Sequence, residues 1–261
     1  MAILTNNINL KAGVIDLWFA FPDEIKDKKL ISSYEKILHP QELTQQKAFY
    51  FPKHQHQYLI TRALVRTTLS RYTGIKPDCL KFSKNGYGRP ELIPDGDIPP
   101  IRFNLSHTDG LIACSIVLKE DIGVDVEDIS RQGISTQLAD RFFSKREIKD
   151  LNNLPEERRK NRFFDYWTLK ESYIKARGMG LSIPLEQFTF HIQENTPLKI
   201  SFDPIMNDNP HNWQFWLFEP TQRHKAALSI CQSQLNYHIA AKKVVPLLED
   251  EDFTFEIIKQ S

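Results

Sequence analysis

The sequence predicts an α+β protein built from two similar halves. Two segments share one plan: residues His39–Gly74 and Ser144–Gly178 each start with a short helical stretch and continue into a long helix that a glycine ends. Runs rich in β-branched and aromatic residues, typical of strands, lie around these helices. The identity between the two segments is low, so the repeat is predicted from the order of elements rather than from matching residues.

The N-terminal half, residues 1–120, is expected to hold a strand, three helices and a pair of strands. Apolar residues at Leu59, Ala63 and Leu69 form a helical stripe, and Gly74 ends that helix. The predicted elements are a strand over Gly13–Phe21, helices over Leu30–Leu38, Glu42–Ala48 and Gln55–Tyr72, a Gly- and Pro-rich loop over Lys84–Pro100, and two strands within Ile101–Val117 around a turn at Ser106–Gly110.

The C-terminal half, residues 121–261, is expected to begin with a strand and to contain the second long helix. Gly178 and Gly180 end this helix. The predicted elements are strands over Val124–Glu127, Glu186–Ile192, Trp213–Phe218 and Lys225–Cys231, and helices over Leu138–Phe143, Lys145–Leu151 and Asn161–Arg177.

Composition excludes several classes of protein. The 261 residues include 34 Lys and Arg and 33 Asp and Glu, which gives a net charge of +1. This balance argues against a protein that coats nucleic acid or binds an anionic membrane through its overall charge. Cys79, Cys114 and Cys231 are far apart, which disfavours a disulfide framework or a structural zinc site. A secretory signal and a bilayer-spanning run of about 18 apolar residues are both missing. The prediction is a cytoplasmic protein.

Two carboxylates alternate along the strand that opens the second half. Asp125 and Glu127 share one face of this strand, while Val124 and Val126 share the other. Neighbouring carboxylates repel each other unless a cation or a proton intervenes. Hard oxygen ligands of this kind suit Mg²⁺. The alternative is an edge strand with a solvated acidic face.

A third carboxylate stands on the second long helix. Glu171 and Lys175 are spaced i, i+4 and therefore lie on one helix face. They are either a surface ion pair, or Glu171 adds a third ligand to the cation and Lys175 binds a phosphate beside it.

A polar run and a glycine-rich turn supply candidate phosphate contacts. Ser106, His107 and Thr108 offer hydrogen-bond donors at a predicted turn, although a polar turn without a ligand would have the same composition. Adjacent residues of extended chain point apart, so Ser106 and His107 are not a nucleophile and its base. The turn Gly86–Pro90 carries one cation and lacks the spacing of a P-loop.

Five motifs follow one another in order: the Gly-Arg-Pro turn, FNLSHT, GVDVED, RFFSKREI and WTLKESYIKARGMGL. In this order they resemble the 4′-phosphopantetheinyl transferases of the Sfp type, from about Lys84 to Phe190 and more loosely from His39. The resemblance implies a pseudo-dimeric fold with coenzyme A in the cleft between its halves. It also implies Mg²⁺-dependent transfer of phosphopantetheine to a serine of an apo acyl or peptidyl carrier protein, with release of adenosine 3′,5′-bisphosphate. Mn²⁺ is a possible substitute for Mg²⁺.

The resemblance assigns roles by position. The implied metal ligands are Asp125, Glu127 and Glu171. The implied catalytic residues are Glu171, Glu127, Lys175 and Glu147, with Glu171 the first candidate for the proton acceptor and Glu147 the second. The implied coenzyme A contacts are Lys47, Arg62, Tyr87, Gly88, Arg89, Pro90, Asn104, Ser106, His107 and Lys175.

This chain departs from the family pattern at two places. Family members often carry basic residues shortly after the proline that matches Pro40, whereas here Lys47 is the only cation in that stretch. Lys47 or Arg62 is then expected to bind the 3′-phosphate. Arg89 stands where the family usually has lysine.

The expected partners are coenzyme A and a carrier protein, and the chain is expected to be a monomer. Two other functions stay open: a coenzyme A- or nucleotide-binding regulator, and a Mg²⁺-dependent phosphohydrolase.

Overall fold

Two β-sheets, each packed against one long helix, make up most of the protein. The computed structural model describes residues 7–94, 96, 98–131, 137–232 and 234–261. The helices are α1 (Lys28–Ile37), α2 (Pro40–Ala48), α3 (Pro52–Thr73), α4 (Gln137–Phe142), α5 (Lys145–Asn153) and α6 (Glu156–Arg177). The strands are β1 (Val14–Ala20), β2 (Phe82–Lys84), β3 (Pro90–Leu92), β4 (Ile101–Thr108), β5 (Leu111–Leu118), β6 (Ile122–Asp128), β7 (Phe188–His191), β8 (Lys199–Phe202), β9 (Trp213–Thr221), β10 (His224–Cys231), β11 (His238–Val245), β12 (Glu249–Asp252) and β13 (Glu256–Gln260).

The helix pairs α2–α3 and α5–α6 repeat the same plan. Each pair starts with a capping box, formed by His39 with Glu42 in α2 and by Ser144 with Glu147 in α5. Both long helices have 22 residues and end at a glycine with positive φ. The α+β fold class and the repeated order of helices are therefore confirmed.

The first sheet has the strand order β12-β11-β1-β5-β4, and the second has the order β13-β9-β10-β6. The alternating side chains of β1 show how the two sheets pack. Trp18 lies in the core that α3 covers, whereas Leu17 and Phe19 lie in a second core shared with Val124 and Val126 of β6. The two sheets thus bury apolar faces against each other, which joins the halves through their cores.

The C-terminal strands belong to both sheets. β11 runs parallel to β1 and pairs with β12, whereas β13 pairs with β9 in the other sheet. The chain passes from the first sheet to the second between β5 and β6, near the expected boundary at residue 120. The tail does not follow this division, because residues 238–252 return to the first sheet. Strands β11 and β12 thus pair within the sheet of the first half although they follow residue 121, and the division into halves at residue 120 stays a prediction.

Two local predictions are also corrected. The chain stays extended through Ser106–Thr108 as part of β4, and the turn is at Asp109–Gly110, where Gly110 has φ 80°. An Asp-Gly pair suits a tight hairpin turn because glycine adopts positive φ without strain. Within residues 84–100, the short strand β3 pairs with β2 where only an irregular loop was expected. Across the described ranges, the helices all fall short of the length and apolarity that a membrane crossing requires.

Candidate active site

Strands β4 and β6 meet helix α6 at a cluster of charged side chains. The Nζ atom of Lys175 donates to Asp125 Oδ1 at 2.6 Å and to the Ser106 hydroxyl at 2.9 Å. Asp125 is 4% exposed, so this carboxylate has left water for a lysine and a hydroxyl. The structure therefore brings together Asp125 and Lys175, which lie 50 residues apart in the chain.

Glycine makes this meeting of strand and helix possible. A Cβ atom on Gly123 would lie 2.0 Å from the Ser172 carbonyl oxygen and 2.4 Å from the Ala176 nitrogen. β6 therefore packs directly on the α6 backbone, on the face that also carries Asp125. Gly123 was not among the predicted site residues, although a glycine inside a strand, two residues before Asp125, is typical of a close approach of two backbones.

Glu127 lies on the same face of β6 and has its own partners. Trp167 Nε1 donates to Glu127 Oε1 at 3.1 Å, and Arg131 is 3.4 Å from the other oxygen. Burial and the nearby Asp125 charge raise the pKa of Glu127 to about 7. The same two causes raise the pKa of Glu171 to about 7, since Lys175 offsets them only in part. Negative charge therefore exceeds positive charge in this cluster.

One carboxylate oxygen in the cluster has no partner. Asp125 Oδ2 is buried without a hydrogen bond, a costly state that a bound cation would relieve. A hard divalent cation fits this donor set because all the candidate ligands are carboxylate oxygens. Within the described ranges, however, no three His, Cys, Asp or Glu side chains lie close enough to form a metal site. The three-carboxylate site thus stays a prediction, and Lys175 neutralises Asp125 in the structure.

Three predicted coenzyme A contacts lie on β4. The Asn104 side-chain oxygen accepts a hydrogen bond from the Val124 N–H. The Ser106 hydroxyl donates to Asp125 and accepts from both Lys175 and the Val126 N–H. One donor and two lone pairs are all that a hydroxyl offers. The Ser106 hydroxyl and the Asn104 oxygen are thus both occupied by protein partners, and their contact with a phosphate stays a prediction. His107 is exposed and free of this constraint.

Glu147 is likewise held by partners inside the protein. Its side chain is 0% exposed, and Oε2 lies 2.8 Å from Lys170 Nζ and accepts the Ser144 N–H. Oε1 accepts the Phe190 N–H. All of these partners belong to the protein, so the predicted role of Glu147 as a proton acceptor would require its ion pair with Lys170 to open. Lys170 is equally buried.

The glycine-rich turn is fastened to the end of α6. Asn85 Nδ2 donates to the Gly178 carbonyl, and Arg89 Nη1 donates to the Ala176 carbonyl at 2.9 Å. Arg89 also contacts Glu91 and Asp121. Its guanidinium therefore caps the end of this helix, and its predicted contact with coenzyme A stays a prediction. Tyr87 remains exposed at the tip of the turn.

A groove of about 580 Å³ runs between α2 and the β2–β3 ribbon. Pro90 and Arg62 both line it, but the Arg62 guanidinium is held by Glu42 Oε1, with Nε at 2.7 Å. Lys84 adds a further cation to the wall. Lys47 is exposed and is not among the lining residues.

Comparisons with known proteins point to one family. Residues 121–231 match the family model of the 4′-phosphopantetheinyl transferase superfamily, and residues 27–116 match that of the 4′-phosphopantetheinyl transferase N-terminal region. The chain is 32% identical over 198 residues to the 4′-phosphopantetheinyl transferase HetI of a Nostoc species, which covers 76% of this chain and 82% of that protein. It is also 32% identical over 167 residues to the 4′-phosphopantetheinyl transferase Sfp of Bacillus subtilis, covering 64% and 72%.

A more distant animal protein is similar over a longer stretch. The L-aminoadipate-semialdehyde dehydrogenase-phosphopantetheinyl transferase of Xenopus laevis is 24% identical over 249 residues, which covers 87% of this chain and 81% of that protein. The similarity therefore extends over both sheets.

Proposed function

This chain belongs to the Sfp-like 4′-phosphopantetheinyl transferases, which transfer phosphopantetheine from coenzyme A to carrier proteins, and we propose that its reaction depends on Mg²⁺ and releases adenosine 3′,5′-bisphosphate. In this reaction the carrier serine oxygen bonds to the phosphorus that bears the pantetheine arm. The phosphorus–oxygen bond to the adenosine bisphosphate breaks, and the serine proton passes to a base. We further propose that the chain acts as a monomer.

The observation that carries the metal dependence is the unpartnered buried oxygen of Asp125. Asp125, Glu127 and Glu171 would hold the cation. Charge crowding supports this assignment, because Asp125 raises the pKa of both glutamates. When bound, Mg²⁺ would neutralise the diphosphate and make its phosphorus easier to attack.

Residues of this chain would supply the proton acceptor and the contacts to the phosphates. Glu171 is the proposed proton acceptor for the carrier serine, since it is a carboxylate beside Asp125 and Lys175, where the phosphates would bind. Lys175 would offset negative charge on the transferred and leaving phosphates. His107, which is exposed near the end of β4, would also contact the phosphates.

We place coenzyme A along the groove between α2 and the β2–β3 ribbon, with Tyr87, Gly88 and Pro90 at its adenine end. Lys84 and Arg62 line this groove, which supports a position for the 3′-phosphate there. Because Glu42 already compensates Arg62, we expect the 3′-phosphate to be held less tightly than in relatives with a basic α2.

Incubation with coenzyme A, Mg²⁺ and an apo carrier protein tests the proposal. We expect the carrier to gain the mass of phosphopantetheine, with one adenosine 3′,5′-bisphosphate released per carrier. Asp125→Asn should abolish transfer, whereas Asp252→Asn, at a site whose side chain is 93% exposed, should not. Full transfer after removal of divalent cations would refute the metal dependence. Consumption of coenzyme A without a carrier would indicate the phosphohydrolase, and binding without turnover would indicate the regulator.

A further inference from the structure

Strands β4 and β6 are edge strands of different sheets that lie side by side. β4 ends the first sheet and β6 ends the second, and the two form no shared ladder. An edge strand carries a row of N–H groups that its own sheet leaves unpaired. Buried N–H groups need partners, so the free edge of β6 must be satisfied by something other than a neighbouring backbone.

Side chains of β4 satisfy that edge. The side-chain oxygens of Asn104, Ser106 and Thr108 accept hydrogen bonds from three β6 amides, those of Val124, Val126 and Asp128, at 2.9, 3.2 and 3.1 Å. The three acceptors are spaced by two residues and are all buried. Each is 20 residues before its donor, so the pairing keeps one register along the strand. We call these three residues the β4 zipper.

The β4 zipper discriminates between registers. A slip of one residue would bring Leu105 or His107, which alternate with the zipper residues, to the β6 edge. Leucine offers no acceptor, and a buried amide without a partner is unfavourable. Asp125 lies between Val124 and Val126, whose amides bond the β4 zipper. The position of Asp125 relative to Lys175 therefore depends on this register.

We propose that Asn104, Ser106 and Thr108 are positioning residues that fix β6 against β4 and thereby place Asp125 for the reaction. The inference rests on the proposed function only in so far as Asp125 binds the metal. Thr108 is the clearest member, because its hydroxyl pairs with the Asp128 amide and has no recorded contact with Asp125 or Lys175.

The test compares Thr108→Val, which removes the acceptor, with Thr108→Ser, which keeps it. Ser115→Ala is the matched control, since Ser115 is a fully buried hydroxyl of the adjacent strand β5 without a hydrogen-bond partner. The readouts are amide hydrogen exchange at Asp128 and Val126 in the metal-free protein, Mn²⁺ affinity by electron paramagnetic resonance, and the split of transfer kinetics into kcat and KM.

We expect Thr108→Val to speed exchange at Asp128 about tenfold and to weaken Mn²⁺ binding, with a lower kcat and little change in the KM for coenzyme A. Thr108→Ser should restore all three values, and Ser115→Ala should change none. If Thr108→Val does not fold, Asn104→Leu with exchange at Val124 replaces it, because the Asn104 oxygen bonds the Val124 amide and not Asp125 itself.

Unchanged exchange at the β6 amides that bond the β4 zipper would show that the zipper does not fix the register of β6. Faster exchange with unchanged Mn²⁺ affinity would overturn the positioning role. A wild-type protein that transfers phosphopantetheine without binding Mn²⁺ or Mg²⁺ would instead refute the metal site proposed above, and the exchange data would still decide on the zipper.

Discussion

Glu147 and Lys170 form an ion pair that is completely buried, with Oε2 and Nζ 2.8 Å apart and both side chains 0% exposed. In the first half, Glu42 and Arg66 form the matching pair at 2.7 Å. Each glutamate closes the capping box of a short helix and binds a cation on the long helix that follows. The repeat of the two halves thus includes their buried charges.

Removing one member of the second pair should be severely destabilising. Lys170→Met leaves the Glu147 charge buried without its cation, and we expect a loss of about 3–5 kcal/mol in the free energy of unfolding, measured in urea. The double variant Glu147→Leu with Lys170→Met should recover much of this loss. Lys243→Met, which breaks a half-exposed pair with Glu24, should cost less than about 1 kcal/mol. Equal losses in the two single variants would contradict the special cost of the buried pair.

Gly123→Ala should separate β6 from α6. The added methyl would meet the backbone of Ser172 and Ala176, which cannot move aside as a side chain would. We expect a large fall in melting temperature. Gly86→Ala is the control, since a Cβ at Gly86 meets nothing within 4 Å. A melting temperature of the Gly123 variant within a degree or two of wild type would show that the helix yields easily.

Lys175→Gln should impair the reaction rather than the fold. The substitution removes the cation beside Asp125, and we expect transfer to slow about a hundredfold, measured by carrier mass over time. Mn²⁺ binding should persist, because Lys175 no longer competes for the carboxylate. Lys160→Gln, at an exposed position of the same helix, should transfer at the wild-type rate. Undiminished transfer in the Lys175 variant would remove this residue from the machinery.

Asp128 should make stability depend on pH. Burial alone would raise the pKa of Asp128, but hydrogen bonds from Arg223 and Ser130 outweigh it and hold this pKa well below the ordinary range. A carboxylate whose pKa is lowered by folding stabilises the protein above its unfolded pKa of about 4, and this contribution is lost as the pH falls through the folded value.

Asp128→Asn should therefore destabilise the protein more at pH 7 than at pH 3. Urea unfolding of wild type and variant at both pH values measures the difference. A difference in unfolding free energy that stays constant between pH 3 and pH 7 would mean that the charge of Asp128 does not matter. The exposed Asp252→Asn variant supplies the baseline for a general effect of losing one charge.

Periodicity and glycine stops were enough to predict both long helices, because α3 and α6 carry their own local signals. The same local reasoning misplaced Ser106 and Thr108. Their polarity indicated a turn, yet they serve as acceptors for amides 20 residues further on, and no local pattern records that partner. Glu147 was assigned to the active site by the family resemblance, and its burial against Lys170 and the Phe190 amide could not be read from the motif.

The meeting of Asp125 with α6 was expected from the family resemblance, and the structure brings Lys175 to it. The last three strands, β11, β12 and β13, were not predicted. β11 pairs in parallel with β1, more than 200 residues earlier, and such pairing depends on the finished sheet rather than on nearby residues.

The chain between β12 and β13 passes from one sheet to the other, and its aromatic residues are anchored on both. Phe253 packs on Phe19 of β1 at 5.3 Å between ring centroids, and Phe255 packs on Phe218 of β9 at 4.5 Å. A hinge between the halves would have to break these contacts. We therefore expect the two halves to keep a fixed position relative to each other during the reaction, so that carrier proteins are selected by how they fit a rigid surface and not by a closing movement.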